Sequence, residues 1–162
     1  MEYSHAVERS DTMSVDHVDE ALKLENQLCF PLYAAARRVV SLYTPYLKAL
    51  GLTYTQYIVF LVLWEEDGLT VGELGHKLFL DNGTLTPLLK KLEAAGYLNR
   101  SRDSADERVV KVTLTDAGRA LKEQASEIPL KIGSCIALDE DKAGALYTIL
   151  YQLLEGRENH DE

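Results

Sequence analysis

Sulfur and imidazole are scarce in this chain: its 162 residues include two cysteines, Cys29 and Cys135, and four histidines. The cysteines stand far apart, no CxxC or Cys/His cluster occurs, and His5, His17, His76 and His160 are scattered. A disulfide scaffold is therefore excluded in a reducing compartment, and so is a structural zinc site. No metal and no cofactor are expected. Long apolar runs are also missing. The longest, Tyr57 to Trp64, suits a core helix and falls well short of the roughly 18 residues a membrane span needs. Residues 1–20 are polar and acidic without sustained periodicity, which excludes a secretory signal and is the pattern of a disordered acidic tail. These features place the protein in the cytoplasm, with no membrane partner.

Positive charge is short overall. The formal net charge is −9, which on its face argues against a nucleic-acid partner. Its distribution argues otherwise. Met1 to Lys23 holds six acids and two bases, and Asp116 to Glu162 holds ten acids and five bases. Between Lys77 and Lys111 the order reverses, with seven Lys/Arg against five Asp/Glu. An acidic body with one local basic stretch is compatible with DNA binding.

From about Leu22 to Leu50 apolar residues recur at three and four: Leu24, Leu28, Leu32, Ala35, Val39, Leu42, Tyr46. That spacing predicts a long amphipathic helix. Pro31 predicts a kink or a fresh start near Gln27 to Pro31. Thr53 caps a second helix to about Glu66. Thr70-Val71-Gly72-Glu73 has the capping-box form and opens a short helix to about Leu78. Asp81-Asn82-Gly83-Thr84 reads as a turn into a helix from about Thr84 to Ala95, closed by Gly96. Two short helices around a tight turn are the helix-turn-helix pattern. Tyr97 to Arg102 and Arg108 to Leu114 read as strands, the second with Val110, Val112 and Leu114 inward. A charged loop, Asp103 to Glu107, joins them. Thr115 caps a helix to about Ile132 that Pro129 breaks or kinks, and Asp139 starts a last helix with Ala143, Leu146, Ile149, Leu150 and Leu153 on one face.

The fold class that follows is mostly α with a small β-wing: a winged helix-turn-helix with N- and C-terminal dimerisation helices. The winged part spans about 53–115 within a domain of 21–162, and the dimerisation helices span about 21–50 and 116–156. The apolar faces of the outer helices exceed what one small winged domain can cover, so a homodimer is expected. Two-fold symmetry then suits a pseudo-palindromic double-stranded operator.

The helix after Asp81 would enter the major groove by its first turn, with Asn82, Thr84 and Thr86 toward base edges or phosphates. Lys90 and Lys91 follow on phosphates. Arg100, Arg102 and Arg108 on the wing suit a narrow minor groove, and Asp106 can hold the Arg108 guanidinium. The alternative is that these charges form only a solvated surface, a reading that Lys90 and Lys91 alone would permit but that the ensemble, in this order of elements, argues against.

Cys29 lies near a helix start, where a thiolate is favoured, and only a thiolate attacks peroxide well. Tyr33 follows at i+4, on the same helical face. Aromatic usage is skewed, with nine Tyr, three Phe and one Trp, and Tyr43, Tyr46, Tyr54 and Tyr57 cluster downstream. A phenol can donate to sulfur while its ring lines an apolar pocket. On the residues alone, Cys29 can also be a small core residue and the tyrosines interface aromatics.

Leu24-Glu25-Asn26-Gln27-Leu28-Cys29-Phe30 with Tyr33-Ala34 resembles the opening of organic-hydroperoxide resistance regulators, a branch of the MarR family. The resemblance continues through Leu52-Thr53-Tyr54, Gln56-Tyr57, Leu63-Trp64-Glu65, Leu80-Asp81, Gly83 to Lys90 and Asp106-Glu107-Arg108. It implies a repressor that senses an organic hydroperoxide through Cys29 and then leaves its operator. It implies that Tyr43 and Tyr54, from the partner subunit, hydrogen-bond the reduced sulfur, with Tyr33 in the same pocket. Oxidation would give a sulfenic acid, trapped as a disulfide, and the dimer would shift between two states. Three residues depart from the pattern: Pro31 close after the cysteine, Asn82 where Ser is common, and Cys135. Cys135 falls near the place of a resolving cysteine in some members; the alternative is a bystander thiol, with a small-molecule thiol doing the trapping. Two other functions stay open: a MarR-type repressor that binds a phenolic ligand non-covalently, and a thiol peroxidase. The second would leave the basic wing without purpose, and no enzyme is expected.

Overall fold

The computed structural model describes residues 19–103 and 106–156. The expected acidic tail lies outside the described residues except for Asp19 and Glu20, which open a short helical turn. Ser104 and Ala105 of the expected charged loop, and residues 157–162, also lie outside them. The chain divides into two compact units, one ending at Val39 and one starting at Val40.

A 3-10 turn, Leu24–Asn26, precedes helix α1 (Cys29–Ala49), whose residues to Val39 belong to the first unit and the rest to the second. The fresh start expected near Gln27 to Pro31 is present, and the helical stretch from about Leu22 is two pieces. Gln27 is extended, at φ −97° and ψ 107°, which stops the first piece. Pro31 explains where α1 can begin: as its third residue it lacks an N–H that would have had no intrahelical partner in any case. Leu22, Leu24, Leu28, Phe30, Leu32 and Tyr33 are exposed. Pro45 lies in the interior of α1, which continues past it.

The second unit carries the core. Thr53 caps α2 (Tyr54–Glu65) and Thr70 caps α3 (Val71–Leu78), each through a full capping box with Gln56 and Glu73 respectively. Phe79 then turns the chain at φ 52°, and the Leu80 N–H reaches back to the Gly75 carbonyl at 2.9 Å. This Schellman closure brings the chain directly into α4 (Asn82–Ala94). The helix starts two residues earlier than expected, because Asp81 itself is the cap, accepting from the Thr84 N–H. Gly96, at φ 80°, ends that segment.

The hairpin follows: β1 (Leu98–Arg102) pairs antiparallel with β2 (Val110–Leu114), Leu98 opposite Leu114 and Arg102 opposite Val110. Val112 and Leu114 are buried and Val110 half-buried, the alternation the sequence predicts. The Val112 N–H also donates to the Leu69 carbonyl at 2.8 Å, so β2 is tied to the segment before α3. Beyond it, α5 (Asp116–Ala125) and α6 (Ile128–Gly133) are separate helices, with Pro129 in the first turn of the second. Asp139 caps α7 (Glu140–Glu155), whose Leu146, Ile149 and Leu153 are exposed. The order α3, turn, α4, hairpin is a winged helix-turn-helix. Its centre is Phe60, Leu63, Leu74, Leu85, Leu89, Leu92, Leu98 and Val112, all essentially inaccessible; burial of each such side chain is worth about 1.5–3 kcal/mol. No single helix among the described residues is long and apolar enough to cross a membrane.

One close approach fixes how α5 meets the hairpin. A Cβ on Gly118 would sit 2.1 Å from the Tyr97 carbonyl oxygen. The adjacent Trp64 indole N–H donates to the Gly118 carbonyl at 3.0 Å. Gly118→Ala must therefore push α5 off the base of β1. We expect a loss of about 1–3 kcal/mol, the range for overpacking a tight site, read as a lowered urea midpoint; an unchanged midpoint contradicts this packing.

Candidate nucleic-acid interface and thiol site

The outer surface of α4 presents Asn82, Thr84, Lys90 and Lys91 as exposed side chains, with Thr86 half-buried. Leu85, Leu89 and Leu92 anchor the opposite face in the core. The first turn is held by Asp81, whose carboxylate accepts from the Thr84 N–H at 2.8 Å and from the Thr84 hydroxyl at 2.9 Å. Thr84 thus spends its hydroxyl proton within the turn and keeps its oxygen lone pairs outward. These bonds, the backbone one first, hold the Asp81 carboxyl below its ordinary range.

On the wing, Arg108 and Asp106 form a two-point pair, Nε to Oδ1 at 3.1 Å and Nη2 to Oδ2 at 3.0 Å. The Arg108 side chain remains 91% exposed, so Asp106 orients the guanidinium without covering it. Arg102 donates from Nη1 to the Glu107 carbonyl at 2.8 Å, which stiffens the same end. Lys111 pairs with Asp103 at 2.6 Å.

Arg100 departs from the expectation of a DNA contact. Its guanidinium is turned back onto α4 and grips Glu93 through Nε at 3.0 Å and Nη2 at 2.7 Å, while its own N–H donates to the other carboxylate oxygen at 3.0 Å. The Arg100 side chain is only 20% exposed. Its place is a latch between the last turn of α4 and β1. Glu93 carries no local sequence signal for this role, since the two residues sit on different elements.

Cys29 is the first residue of α1 and is exposed, so within this chain it is not a core filler. Tyr33, one turn on, is exposed, with the Arg37 guanidinium 5.5 Å from its ring centroid and Arg37 Nη1 donating to its hydroxyl at 3.4 Å. Both residues belong to the first unit. Tyr43 and Tyr54 belong to the second, where they meet edge to face with centroids 4.9 Å apart. Tyr57 joins them, 5.8 Å from Tyr43 and 6.5 Å from Tyr54. Burial pushes all three phenols above their ordinary range, so they stay protonated donors at neutral pH. Tyr54 also borders a cavity of about 430 Å3 with Val40, Thr44, Leu47, Lys48 and Leu52. Cys135 follows α6, exposed, its thiol donating to the Lys131 carbonyl at 3.3 Å. No group of three or more potential metal ligands occurs among the described residues.

Residues 41–125 match the family model described as transcriptional regulator SarA/Rot. The chain is 49% identical over 138 residues to the HTH-type transcriptional regulator TtmR of Methylorubrum extorquens, covering 85% of this chain and 71% of that protein. It is 46% identical over 134 residues to the organic hydroperoxide resistance transcriptional regulator of Bacillus subtilis, covering 83% and 91% respectively. Among solved structures it resembles AbfR of Staphylococcus epidermidis. Reduced AbfR bound to DNA superposes with a TM-score of 0.71 at 40% identity, over 87% of this chain and 98% of that one. The disulfide-formed state of AbfR superposes at 0.60 with 38% identity, over 87% and 99%.

The Asp81 cap has a pH signature. A carboxyl depressed in the folded state stabilises the turn above the ordinary aspartate range, and that contribution fades as pH falls through the depressed value. In an NMR titration the Thr84 amide should therefore shift with a midpoint below the usual value of about 3.9. Asp81→Asn keeps a capping side chain and should abolish that titration. A midpoint at or above the usual value contradicts the cap.

Proposed function

Because the chain belongs to the MarR/SarA-type winged helix transcriptional regulators, we propose that it is a DNA-binding repressor that leaves its operator when an organic hydroperoxide oxidises Cys29. The observation that carries this reading is an exposed thiol at the first position of α1 in a chain that also holds a half-buried, protonated tyrosine pair, Tyr43 and Tyr54, meeting edge to face. The N-terminal end of a helix favours negative charge through its dipole, and phenolic hydroxyls are donors suited to a sulfur anion. The similarity to the Bacillus subtilis hydroperoxide regulator, and to a regulator solved both reduced on DNA and with a disulfide formed, supports the same reading.

The working unit is a cytoplasmic homodimer. Apolar side chains exposed in the first unit and on α7 are the surface a second copy would cover, and Tyr43 and Tyr54 then serve the partner's thiol. The dimer reads a pseudo-palindromic duplex with α4 in successive major grooves: Asn82, Thr84 and Thr86 meet the bases or phosphates, and Lys90 and Lys91 the backbone. Arg108 enters the flanking minor groove, held by Asp106 and backed by Arg102.

The chemistry balances as follows. The Cys29 thiolate attacks the terminal oxygen of the hydroperoxide, and the O–O bond breaks as the S–O bond forms. Sulfur loses two electrons and becomes sulfenic acid, while the peroxide gains them and leaves, after protonation, as the alcohol. A second thiol, from Cys135 of the dimer or a small molecule, then displaces water to give a disulfide. Either product lacks the anion that held the tyrosines, and the state that fits two half-sites is no longer favoured. A non-covalent ligand in the cavity beside Tyr54 is the second reading, favoured by that cavity's size and apolar lining.

A duplex selected from a random library by the reduced protein provides the probe. In gel shift, cumene hydroperoxide should release it from wild type but not from Cys29→Ser, and reductant should restore binding. Cys135→Ser should release DNA but recover poorly if Cys135 resolves the sulfenic acid, and recover like wild type if a small thiol does so. Release from Cys29→Ser contradicts the proposed sensor.

A further inference from the structure

We propose that Trp64 carries the signal from the tyrosine cluster to the wing, as a positioning residue for operator release; this rests on the peroxide-sensing reading above.

The ring contacts run the length of α2. Tyr54 stands at its first residue beside Tyr43 and near Tyr57. Tyr57 meets the Trp64 ring, about two turns further along, at 6.4 Å. Trp64 stacks on Phe60 at 5.4 Å with an interplanar angle of 24°, and Phe60 meets Tyr97 edge to face at 6.0 Å. Tyr97 is the residue before β1, so the series of rings ends at the base of the wing.

Trp64 differs from the other rings in having a directional tie to another element. Its indole N–H donates to the Gly118 carbonyl on α5 at 3.0 Å, and its own carbonyl accepts from Lys122 Nζ at 3.2 Å. Gly118 in turn lies so close to the Tyr97 carbonyl that no side chain fits there. The same Tyr97 carbonyl accepts the Thr115 N–H at 3.0 Å. A residue that only filled space at position 64 would need no N–H; this one bonds the end of α2 to the joint where α5 and the hairpin meet.

The physical consequence follows from packing. Tyr57 and Phe60 are 2% and 0% exposed, and a close-packed interior passes a displacement on rather than absorbing it. When Tyr54 loses its partner at the sulfur and shifts, α2 tilts as one rod. Its far end pulls on Gly118 through the indole, and the base of the wing moves with it. Trp64→Phe keeps the aromatic packing and removes the tie.

The test uses the full chain, the selected duplex and cumene hydroperoxide. Trp64→Phe should bind the duplex when reduced, and its Cys29 should lose its free thiol at the wild-type rate. Its oxidised form should hold the duplex about 5- to 150-fold more tightly than oxidised wild type, the usual span of coupling between two sites. Release equal to wild type, at equal Cys29 oxidation, overturns the coupling alone. Wild type that keeps its duplex after Cys29 is oxidised overturns the sensing reading and the coupling with it. Should Trp64→Phe not fold, wild type still decides: Trp64 is the one tryptophan in the sequence, so its fluorescence should change at the rate of operator release. Constant emission through release overturns the proposal.

Discussion

The contact between the Gly118 carbonyl, the Trp64 indole and the backbone of Tyr97 is the constraint on which the arrangement of the winged unit depends. Here the start of α5 meets the base of the hairpin backbone to backbone, with no room for a side chain on Gly118, and the Trp64 indole ties the end of α2 to the same point. Around it, polar ties reinforce the same geometry. Asp67, just after α2, accepts the Leu114 N–H at 2.8 Å and pairs with Arg119 at 2.5 Å, while Arg119 also donates to the Leu114 carbonyl at 2.8 Å. The wing is therefore braced from below by α2 and α5, and from the side by the Arg100–Glu93 latch to α4. With the hairpin held at these points, its base has a defined place relative to α4. That is the property a protein needs if two copies are to match two half-sites, and the property a switch must disturb.

Much of this architecture is legible in the residues. Thr53, Thr70 and Asp139 announce their helices because a cap is a local event: one side chain and one N–H three residues away. Pro129 marks the division between α5 and α6, and the alternation of Val110, Val112 and Leu114 marks the buried face of β2. The misreadings share a physical cause. Pro31 signals the fresh helix start near Gln27, but the apolar periodicity from Leu22 onward is continuous and does not encode that the residues before it form a 3-10 turn ended by an extended Gln27. The start of α4 lies earlier than the sequence predicts because Asp81, Asn82 and Thr84 all have capping chemistry, and only the geometry selects Asp81. Phe79 occupies a left-handed position where glycine is the usual occupant, so nothing in its identity predicts the tight closure of α3.

The site divides in the same way. Basic residues on α4 and the wing stand out from an acidic chain, yet charge alone cannot say which way a guanidinium points. Arg108 reaches outward and Arg100 is folded back on Glu93, although the two look alike in sequence. Cys29 has no pattern of its own, since a single thiol carries no spacing. Its candidacy comes from the resemblance of the residues around it, joined by its exposure at the head of α1. Trp64 is conspicuous only as the single tryptophan, and its tie to Gly118, 54 positions away, belongs to the tertiary fold.

The central claim is that oxidation of one sulfur sets the occupancy of the operator. It is tested most directly by adding limiting amounts of an alkyl hydroperoxide to the DNA complex with a 1,3-dione trap for sulfenic acid present. The fraction of Cys29 carrying the trapped adduct, by peptide mass spectrometry, is then compared with the fraction of duplex released. The account predicts that the two rise together from the first additions. Release that runs ahead of any modification at Cys29, or a fully modified Cys29 on a complex that stays intact, would contradict it.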